Sequence, residues 1–130
     1  MNGMTDLTAE QFWTDGADAP VARLRLSKAE IDVMAAQAGE AADFLKVLGH
    51  DGRLMILCHL LSGEKSVTEL EQLLSSRQAA VSQQLARLRL EGVVTPRREG
   101  KQIFYRLTDP RVREAIALVY RLFCEAQGGR

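Results

Sequence analysis

The sequence predicts a mainly α-helical fold that carries one β-hairpin. Two short helices are expected between Ser66 and Gly92, and a charged hairpin is expected to follow them as far as Leu107. Helix, tight connection, helix and hairpin in this order are the outline of a winged helix-turn-helix, a fold that binds double-stranded DNA. The chain has 130 residues, of which 46% are hydrophobic, and this suits a single compact domain.

The charges of the chain are unevenly distributed, although the net charge is zero. Met1 to Leu45 contains eight acidic and three basic residues, whereas Arg77 to Arg113 contains nine basic and three acidic residues. We interpret residues 1–26 as a mobile acidic tail and residues 27–130 as the domain, whose basic segment suits a nucleic-acid partner. Neither a run of eighteen apolar residues nor an apolar signal segment occurs, so we expect a cytoplasmic protein without a membrane partner.

Two helices are predicted ahead of the helix pair. Ser27 and Glu30 have the spacing of a capping box, in which the hydroxyl and the carboxylate each bind a backbone N–H, and Gly49 is the expected end of this helix. Asp51 is the expected N-cap of the next helix, which covers Gly52 to Ser62.

The helix pair is delimited by further caps. Ser66 and Glu69 have the capping-box spacing for a helix that ends near Leu74, and Ser75 is expected to begin the next helix, which Gly92 ends. Apolar residues recur in this second helix at i, i+4 and i+7, which predicts one buried face. That face consists of Val81, Leu85 and Leu88.

Two runs of β-branched and aromatic residues, 93–95 and 103–107, predict the hairpin around a polar segment that contains Gly100. Pro96 lacks a backbone N–H and therefore fits only an edge strand. Asp109 and Pro110 have the order expected of an N-cap followed by the first residue of a final helix. The apolar stripe of this helix is Val112, Ile116, Val119, Tyr120 and Phe123.

Candidate DNA-binding residues lie on the second helix of the pair and on the hairpin. The helix face opposite the apolar residues is small, amide-bearing or cationic and suits the major groove, because amides pair with adenine and arginine with guanine or phosphate. An ordinary solvated face is the alternative for this helix. Cations on a hairpin gain little from packing and suit phosphate contacts. The candidates are Gln78, Ser82, Gln83 and Arg87 on the helix and Arg97, Arg98 and Lys101 on the hairpin.

Segments 44–57, 81–85 and 88–94 resemble the ArsR family of bacterial repressors, and the resemblance extends over about residues 41 to 127. It implies a homodimer whose first and last helices form the interface and present two recognition helices to a palindromic operator. It also implies that base reading falls on Gln78, Ser82 and Gln83 and wing contacts on Arg97, Arg98 and Lys101. Gln84 departs from the family pattern, because many members carry histidine there.

Metal sensing is common in this family, but the sequence lacks the ligands for it. No cysteine pair lies on the first helix of the pair, and the final helix contains no histidine. His50 and His59 are the only histidines, and we interpret both as structural or solvated. Four good ligands cannot be assembled from these residues, so neither a metal nor another cofactor is expected.

Cys58 on the second helix and Cys124 on the last helix are the only cysteines. One interpretation is that both are inert core residues, as buried free cysteines commonly are. Within the family, one cysteine on each of these helices resembles the sulfide- and persulfide-responsive repressors of the SqrR and BigR type. In those repressors the two thiols are linked within one subunit, so the resemblance implies reactive sulfur species, persulfide or polysulfide, as the inducer.

The resulting hypothesis is a repressor that binds operator DNA while Cys58 and Cys124 are reduced and releases it when a disulfide or polysulfide bridge links them. A general oxidant-sensing repressor of the same fold is one alternative, and a winged-helix domain without thiol switching is another. An enzyme is not expected, because the sequence has neither the Cys-x-x-Cys motif nor the βαβ pattern of a thiol oxidoreductase.

Overall fold

The computed structural model describes residues 24–75 and 78–125. It confirms the mainly α-helical fold with a β-hairpin wing, whereas most of the predicted tail lies outside the described residues. In chain order the elements are α1 (Lys28–Leu48), α2 (Asp51–Leu60), β1 (Lys65–Ser66), α3 (Val67–Leu74), α4 (Gln78–Leu90), β2 (Val94–Glu99), β3 (Gln102–Leu107), α5 (Arg111–Tyr120) and a π-helical turn (Arg121–Glu125).

The chain divides into two compact units between Asp43 and Phe44, within α1. The described part of the first unit consists of residues 28–43 of α1 and the four residues before this helix. The predicted capping box is present there, because Oγ of Ser27 accepts from the N–H of Glu30 at 3.1 Å and Oε1 of Glu30 accepts from the N–H of Ser27 at 2.8 Å. The second unit contains the last turn of α1 and all later elements.

One apolar core holds the second unit together. The three residues predicted to face inward on α4, Val81, Leu85 and Leu88, are all buried. Full burial of such a side chain contributes about 1.5–3 kcal/mol, so these three residues fix the rotation of α4 about its axis. The other buried apolar residues are Val47, Leu48, Ile56, Leu57, Leu60, Leu70, Val93, Val94, Tyr105, Val112 and Ile116.

The hairpin pairs β2 and β3 in antiparallel register from Val94 opposite Leu107 to Glu99 opposite Gln102. Gly100 is the first residue of its two-residue turn and has a φ of 64°, a backbone conformation that residues other than glycine rarely adopt. As predicted, the strand that contains Pro96 lies at an edge of the three-stranded sheet, whose order is β1–β3–β2.

β1 was not predicted from the sequence. This strand consists of Lys65 and Ser66 alone and pairs with Tyr105 and Phe104 of β3. Two residues are too few to show the alternation of apolar and polar side chains by which a strand is recognised. Ser66 also caps α3, since its Oγ accepts from the N–H of Glu69 at 3.0 Å and Oε1 of Glu69 accepts from the N–H of Ser66 at 2.8 Å. This capping box was predicted.

The predicted cap of α2 is wrong. The N-cap is His50, whose Nδ1 accepts from the N–H groups of Gly52 at 3.0 Å and Arg53 at 3.3 Å. Asp51 is already helical, although its Oδ1 also accepts from the N–H of Gly52. An unprotonated imidazole nitrogen can accept as a carboxylate does, which explains why histidine can take this position. The helix ends at Leu60 rather than at Ser62.

The predicted beginning of α4 is also wrong. Ser75 does not start this helix but ends α3 in the left-handed conformation, with φ at 51°. A chain that leaves a helix through this conformation changes direction, so the next helix starts later, at Gln78. The predicted cap of α5 is wrong as well, because the N-cap is Pro110 and the helix begins one residue later than predicted, at Arg111. Asp109 precedes the cap, and its Oδ1 accepts from the N–H of Arg111 at 2.9 Å.

The predicted apolar stripe of the final helix is buried only in its first half. Val112 and Ile116 lie in the core, whereas Tyr120 and Phe123 are 55% and 69% exposed. The π-helical turn begins at Arg121. Its wider backbone rotates Phe123 out of a stripe extrapolated at 3.6 residues per turn, whereas Tyr120 precedes the turn and is exposed within the α-helix itself.

We predict that Ser66→Ala lowers the free energy of unfolding by about 1 kcal/mol, because it removes the acceptor that caps α3 in a buried position. Chemical denaturation at neutral pH measures this difference. Ser82→Ala is the matched control, since Ser82 is exposed within α4 and alanine is the better helix former. Equal losses for the two variants would contradict the capping role.

Candidate nucleic-acid interface and thiol pair

The outer face of α4 is polar and accessible. Ser82, Gln83, Ala86 and Arg87 are exposed, and they lie opposite the three buried residues of the helix. Arg87 pairs with Glu91 one turn later, at 3.4 Å between Nε and Oε2. An exposed pair of this spacing contributes only about 0.3–0.5 kcal/mol, so the guanidinium can exchange it for another anion. Gln78 is the first residue of the helix, and its side chain is outside the described part.

Arg98 and Lys101 present exposed cations on the wing. Arg98 lies on β2 opposite Ile103, and Lys101 lies in the two-residue turn. Both side chains extend from the hairpin that follows α4 in the chain. They occupy the positions that the sequence analysis proposed for phosphate contacts.

Arg97 is exposed like the other two basic wing residues, but its guanidinium is bound by other side chains of the protein. Its guanidinium binds Glu64 through two hydrogen bonds, Nη2 to Oε1 at 2.8 Å and Nε to Oε2 at 3.0 Å, and Nη1 also lies 3.3 Å from Oε1 of Glu99. It stacks on the ring of Phe104 at 4.7 Å. The hydrogen bonds from Arg97 lower the pKa of Glu64 below its usual value. Glu64 precedes β1, so this ion pair ties the wing to the loop after α2.

A cleft separates the wing turn from the helix pair. Its described lining includes three hydroxyl groups, one amide and one ammonium group and no carboxylate: Ser66, Val67, Thr68, Ser82, Lys101, Gln102 and Ile103. Hydroxyl, amide and ammonium groups all donate hydrogen bonds, so the cleft is suited to the oxygens of an anion. Three elements, α3, α4 and the wing, contribute to it.

The two cysteines occupy different environments. Cys58 is half-buried on α2 and packs against the apolar core, whereas Cys124 is exposed in the π-helical turn. Burial raises the pKa of the Cys58 thiol, and the charge of Cys124 raises it further. The two thiols therefore interact electrostatically.

Residues 24–75 and 78–125 contain neither a candidate metal site nor a candidate membrane-spanning helix. This part of the chain contains no cluster of three or more histidine, cysteine, aspartate and glutamate side chains that could hold a metal ion. It also contains no helix with the length and apolar character needed to cross a membrane.

Several residues of this region were not predicted from the sequence as part of the site. Thr68 and Gln102 line the cleft, and Glu64 binds Arg97. The positions of Glu64 and Arg97 are 33 apart in the chain, so no local spacing signals the pair. In the sequence, Thr68 is one of the two residues between Ser66 and Glu69 of the capping box, and that pattern assigns it no role.

Comparison with known proteins agrees with this architecture. Residues 50–95 match the family described as "Bacterial regulatory protein, arsR family". The chain is 46% identical over 101 residues to the biofilm growth-associated repressor of Agrobacterium fabrum, which covers 78% of this chain and 86% of that protein. The crystal structure of the repressor BigR from Xylella fastidiosa has a TM-score of 0.69 and 46% identity, covering 72% of this chain and 95% of that one. Reduced HlyU from Vibrio cholerae has a TM-score of 0.66 and 42% identity, covering 70% and 96%.

A helix pair with a buried inner face, a polar outer face and an adjoining cationic hairpin defines a winged helix-turn-helix transcriptional regulator. The chain belongs to the arsR family of bacterial regulatory proteins. The family predicted from the sequence is thereby confirmed.

We predict that Glu64→Gln destabilises the protein at neutral pH and that the difference from wild type disappears in acid. The pKa of Glu64 is lowered in the folded state, so its stabilisation is present above the unfolded value of about 4.3 and is lost as the pH falls through the lower folded value. Urea denaturation at pH 7 and at about pH 3 measures both limits. Asp43→Asn, which removes an exposed carboxylate of α1, is the control. A difference that persists in acid would contradict the ion-pair explanation.

Proposed function

We propose that this regulator is a cytoplasmic repressor that binds a palindromic DNA operator as a homodimer and releases it when Cys58 and Cys124 become linked. The observation that carries the DNA-binding part is the geometry of α4, whose burial of Val81, Leu85 and Leu88 leaves an exposed polar face beside the cationic wing. The similarity to proteins named as repressors supports the direction of regulation.

In this proposal α4 enters the major groove. The amide of Gln83 can donate to and accept from an adenine edge, and the small Ser82 permits close approach and a further hydrogen bond. Gln78, at the start of the helix, and Arg87 extend the contact to neighbouring bases or phosphates. Arg98 and Lys101 bind the sugar-phosphate backbone from the wing, which adds affinity without reading sequence.

The cleft between the wing turn and the helix pair is proposed to hold one phosphate of the DNA backbone. Thr68, Ser82 and Lys101 line it together, so a phosphate there would contact α3, α4 and the wing at once. A bound phosphate would thus fix how deeply α4 enters the groove. Arg97 is assigned a different role, since Glu64 already binds its guanidinium and its contribution is to hold the wing in place.

The homodimer is supported by exposed apolar side chains near the chain ends. Leu122 and Phe123 of the π-helical turn are 53% and 69% exposed, and α1 exposes Ile31, Val33 and Met34. Leu122 and Phe123 are adjacent, and Ile31 and Met34 lie on one face of α1, and exposed apolar groups of this kind commonly mark an interface with another protein. A two-fold dimer would offer two α4 helices to two half-sites of a palindrome.

The thiol switch is supported by the electrostatic interaction through which Cys124 raises the pKa of Cys58 and by the unequal exposure of the two thiols. Cys124 is accessible, so its thiolate attacks the sulfane sulfur of a persulfide RSSH, which forms Cys124–S–SH and releases RS⁻. The Cys58 thiolate then attacks the Cys124 sulfur, which forms the disulfide and releases HS⁻. Overall, RSSH and two thiols give RSH, H₂S and one disulfide, so the persulfide is reduced and the thiols are oxidised. A polysulfide bridge takes additional sulfane sulfur from further donor molecules.

We predict that polysulfide weakens DNA binding by about fivefold to a hundredfold, the range typical of allosteric coupling. A duplex selected from a random library by the reduced protein serves as the operator, and fluorescence anisotropy measures its dissociation constant. Cys58→Ser and Cys124→Ser should bind as the reduced protein does and ignore polysulfide. If all forms bind alike, the thiol switch is refuted while DNA binding stands. An equal response to peroxide would favour the general oxidant sensor.

We predict that Lys101→Gln reduces the slope of log affinity against log salt by about 1, because one phosphate contact is lost. Thr68→Val should weaken binding with no change of slope, since it removes a neutral hydroxyl from the same cleft. Lys28→Gln removes a cation that is paired with Asp32 on α1 and should leave the slope unchanged. Equal slopes for wild type and Lys101→Gln would exclude a phosphate contact at this residue.

A further inference from the structure

We infer that Gln84 and Arg53 position the DNA-reading helix and that Gln84 does not read bases itself. This inference rests on the proposed DNA-binding function. Gln84 lies next to Gln83 in the chain, but its side chain is half-buried, and Oε1 accepts a hydrogen bond from Nη1 of Arg53 at 3.1 Å. The amide is thus engaged by α2 and is not offered to the groove.

Arg53 connects three parts of the second unit. Besides Gln84 of α4, its guanidinium binds the last carbonyl groups of α1, with Nε 2.7 Å from the oxygen of Val47 and Nη2 3.0 Å from the oxygen of Lys46. These carbonyl groups lie at a helix end, where the helix itself provides no donor, although the oxygen of Lys46 also accepts from the N–H of Gly49 at 3.2 Å. A single side chain therefore binds the end of α1 and holds α4 from its own position on α2.

His50 and Gly52 complete this junction. His50 caps α2 through Nδ1, and its Nε2 lies 3.5 Å from Nε2 of Gln84. A Cβ atom on Gly52 would lie 3.0 Å from Cε1 of His50 and 3.8 Å from Cγ of Gln84. The imidazole would have to move by a few tenths of an ångström to accommodate that Cβ atom, whereas the distance to Gln84 is an ordinary van der Waals contact, so glycine favours the close approach of the start of α2 and the imidazole.

The planar guanidinium makes this link directional. Three of its nitrogens bind three oxygens on two other helices, so a rotation of α4 that moves Gln84 would break a charge-assisted hydrogen bond. Burial lowers the pKa of Arg53, and the neighbouring Arg87 lowers it further. Removing Oε1 of Gln84 would leave Nη1 of Arg53 without this acceptor in a partly buried place, and the rotation of α4 would then depend on packing alone.

The experiment compares base preference with overall affinity. Dissociation constants are measured for the selected duplex and for a set of duplexes that each carry one changed base pair. Gln84→Met should weaken binding to every duplex by about tenfold and leave their ranking unchanged, because a positioning residue affects all contacts of α4 together. Gln83→Met, the matched variant of the next-door residue, should change the ranking at one base pair.

A double-mutant cycle tests the pair itself. Arg53→Met should weaken binding to all duplexes, and the double variant with Gln84→Met should be weaker by clearly less than the product of the two single effects. Gln84→Glu keeps an acceptor for Arg53 and should retain the ranking with a smaller loss than Gln84→Met. If Arg53→Met fails to fold, the comparison of Gln84→Met with Gln84→Glu decides.

Two results would overturn the inference while the proposed function stands. One is a changed ranking of the duplexes in Gln84→Met, which would make Gln84 a base-reading residue. The other is wild-type affinity in both Gln84→Met and Arg53→Met. If the wild-type protein binds no duplex at all, the proposed function and this inference both fall.

Discussion

The burial of one side of α4 is the constraint on which the other features of this molecule depend. Val81, Leu85 and Leu88 enter the core and leave the helix little freedom to rotate about its axis. Most of the residues between these three therefore face outward, and Gln84 is the half-buried exception that binds Arg53. The polar surface that we propose for DNA is therefore a direct consequence of core packing. A substitution that loosens the core would let α4 rotate and would disorder that surface, although no residue of the surface itself is changed.

Basic residues of the wing have two separate uses. Arg97 forms ion pairs with Glu64 and Glu99 and lies over the ring of Phe104. Its charge is therefore paired within the protein and stabilises the hairpin. Arg98 and Lys101 keep their charges at the surface. A cationic hairpin can therefore be stiff and still attract phosphate, because neighbouring arginines in one strand point to opposite faces of the sheet.

Local patterns in the sequence predicted much of this fold, and contacts between distant residues account for what they missed. The capping box of Ser66, the inner face of α4 and the edge position of Pro96 each follow from residues a few positions apart. The link from Arg53 to Gln84 spans 31 positions, and no periodicity reports it. The cap by His50 was missed for another reason: asparagine, aspartate, serine and threonine are the usual residues there.

The edge position of β2 has a consequence for the protein in a crowded cell. An exposed strand edge can pair with the strand of another molecule and begin aggregation. In β2 the proline removes one backbone donor from that edge, and Arg98, whose charge remains at the surface, follows two residues later. A second molecule that approached this edge would find one backbone hydrogen-bond donor missing and would be repelled by a positive charge. The hairpin can therefore stay exposed at high local concentration without aggregating edge to edge.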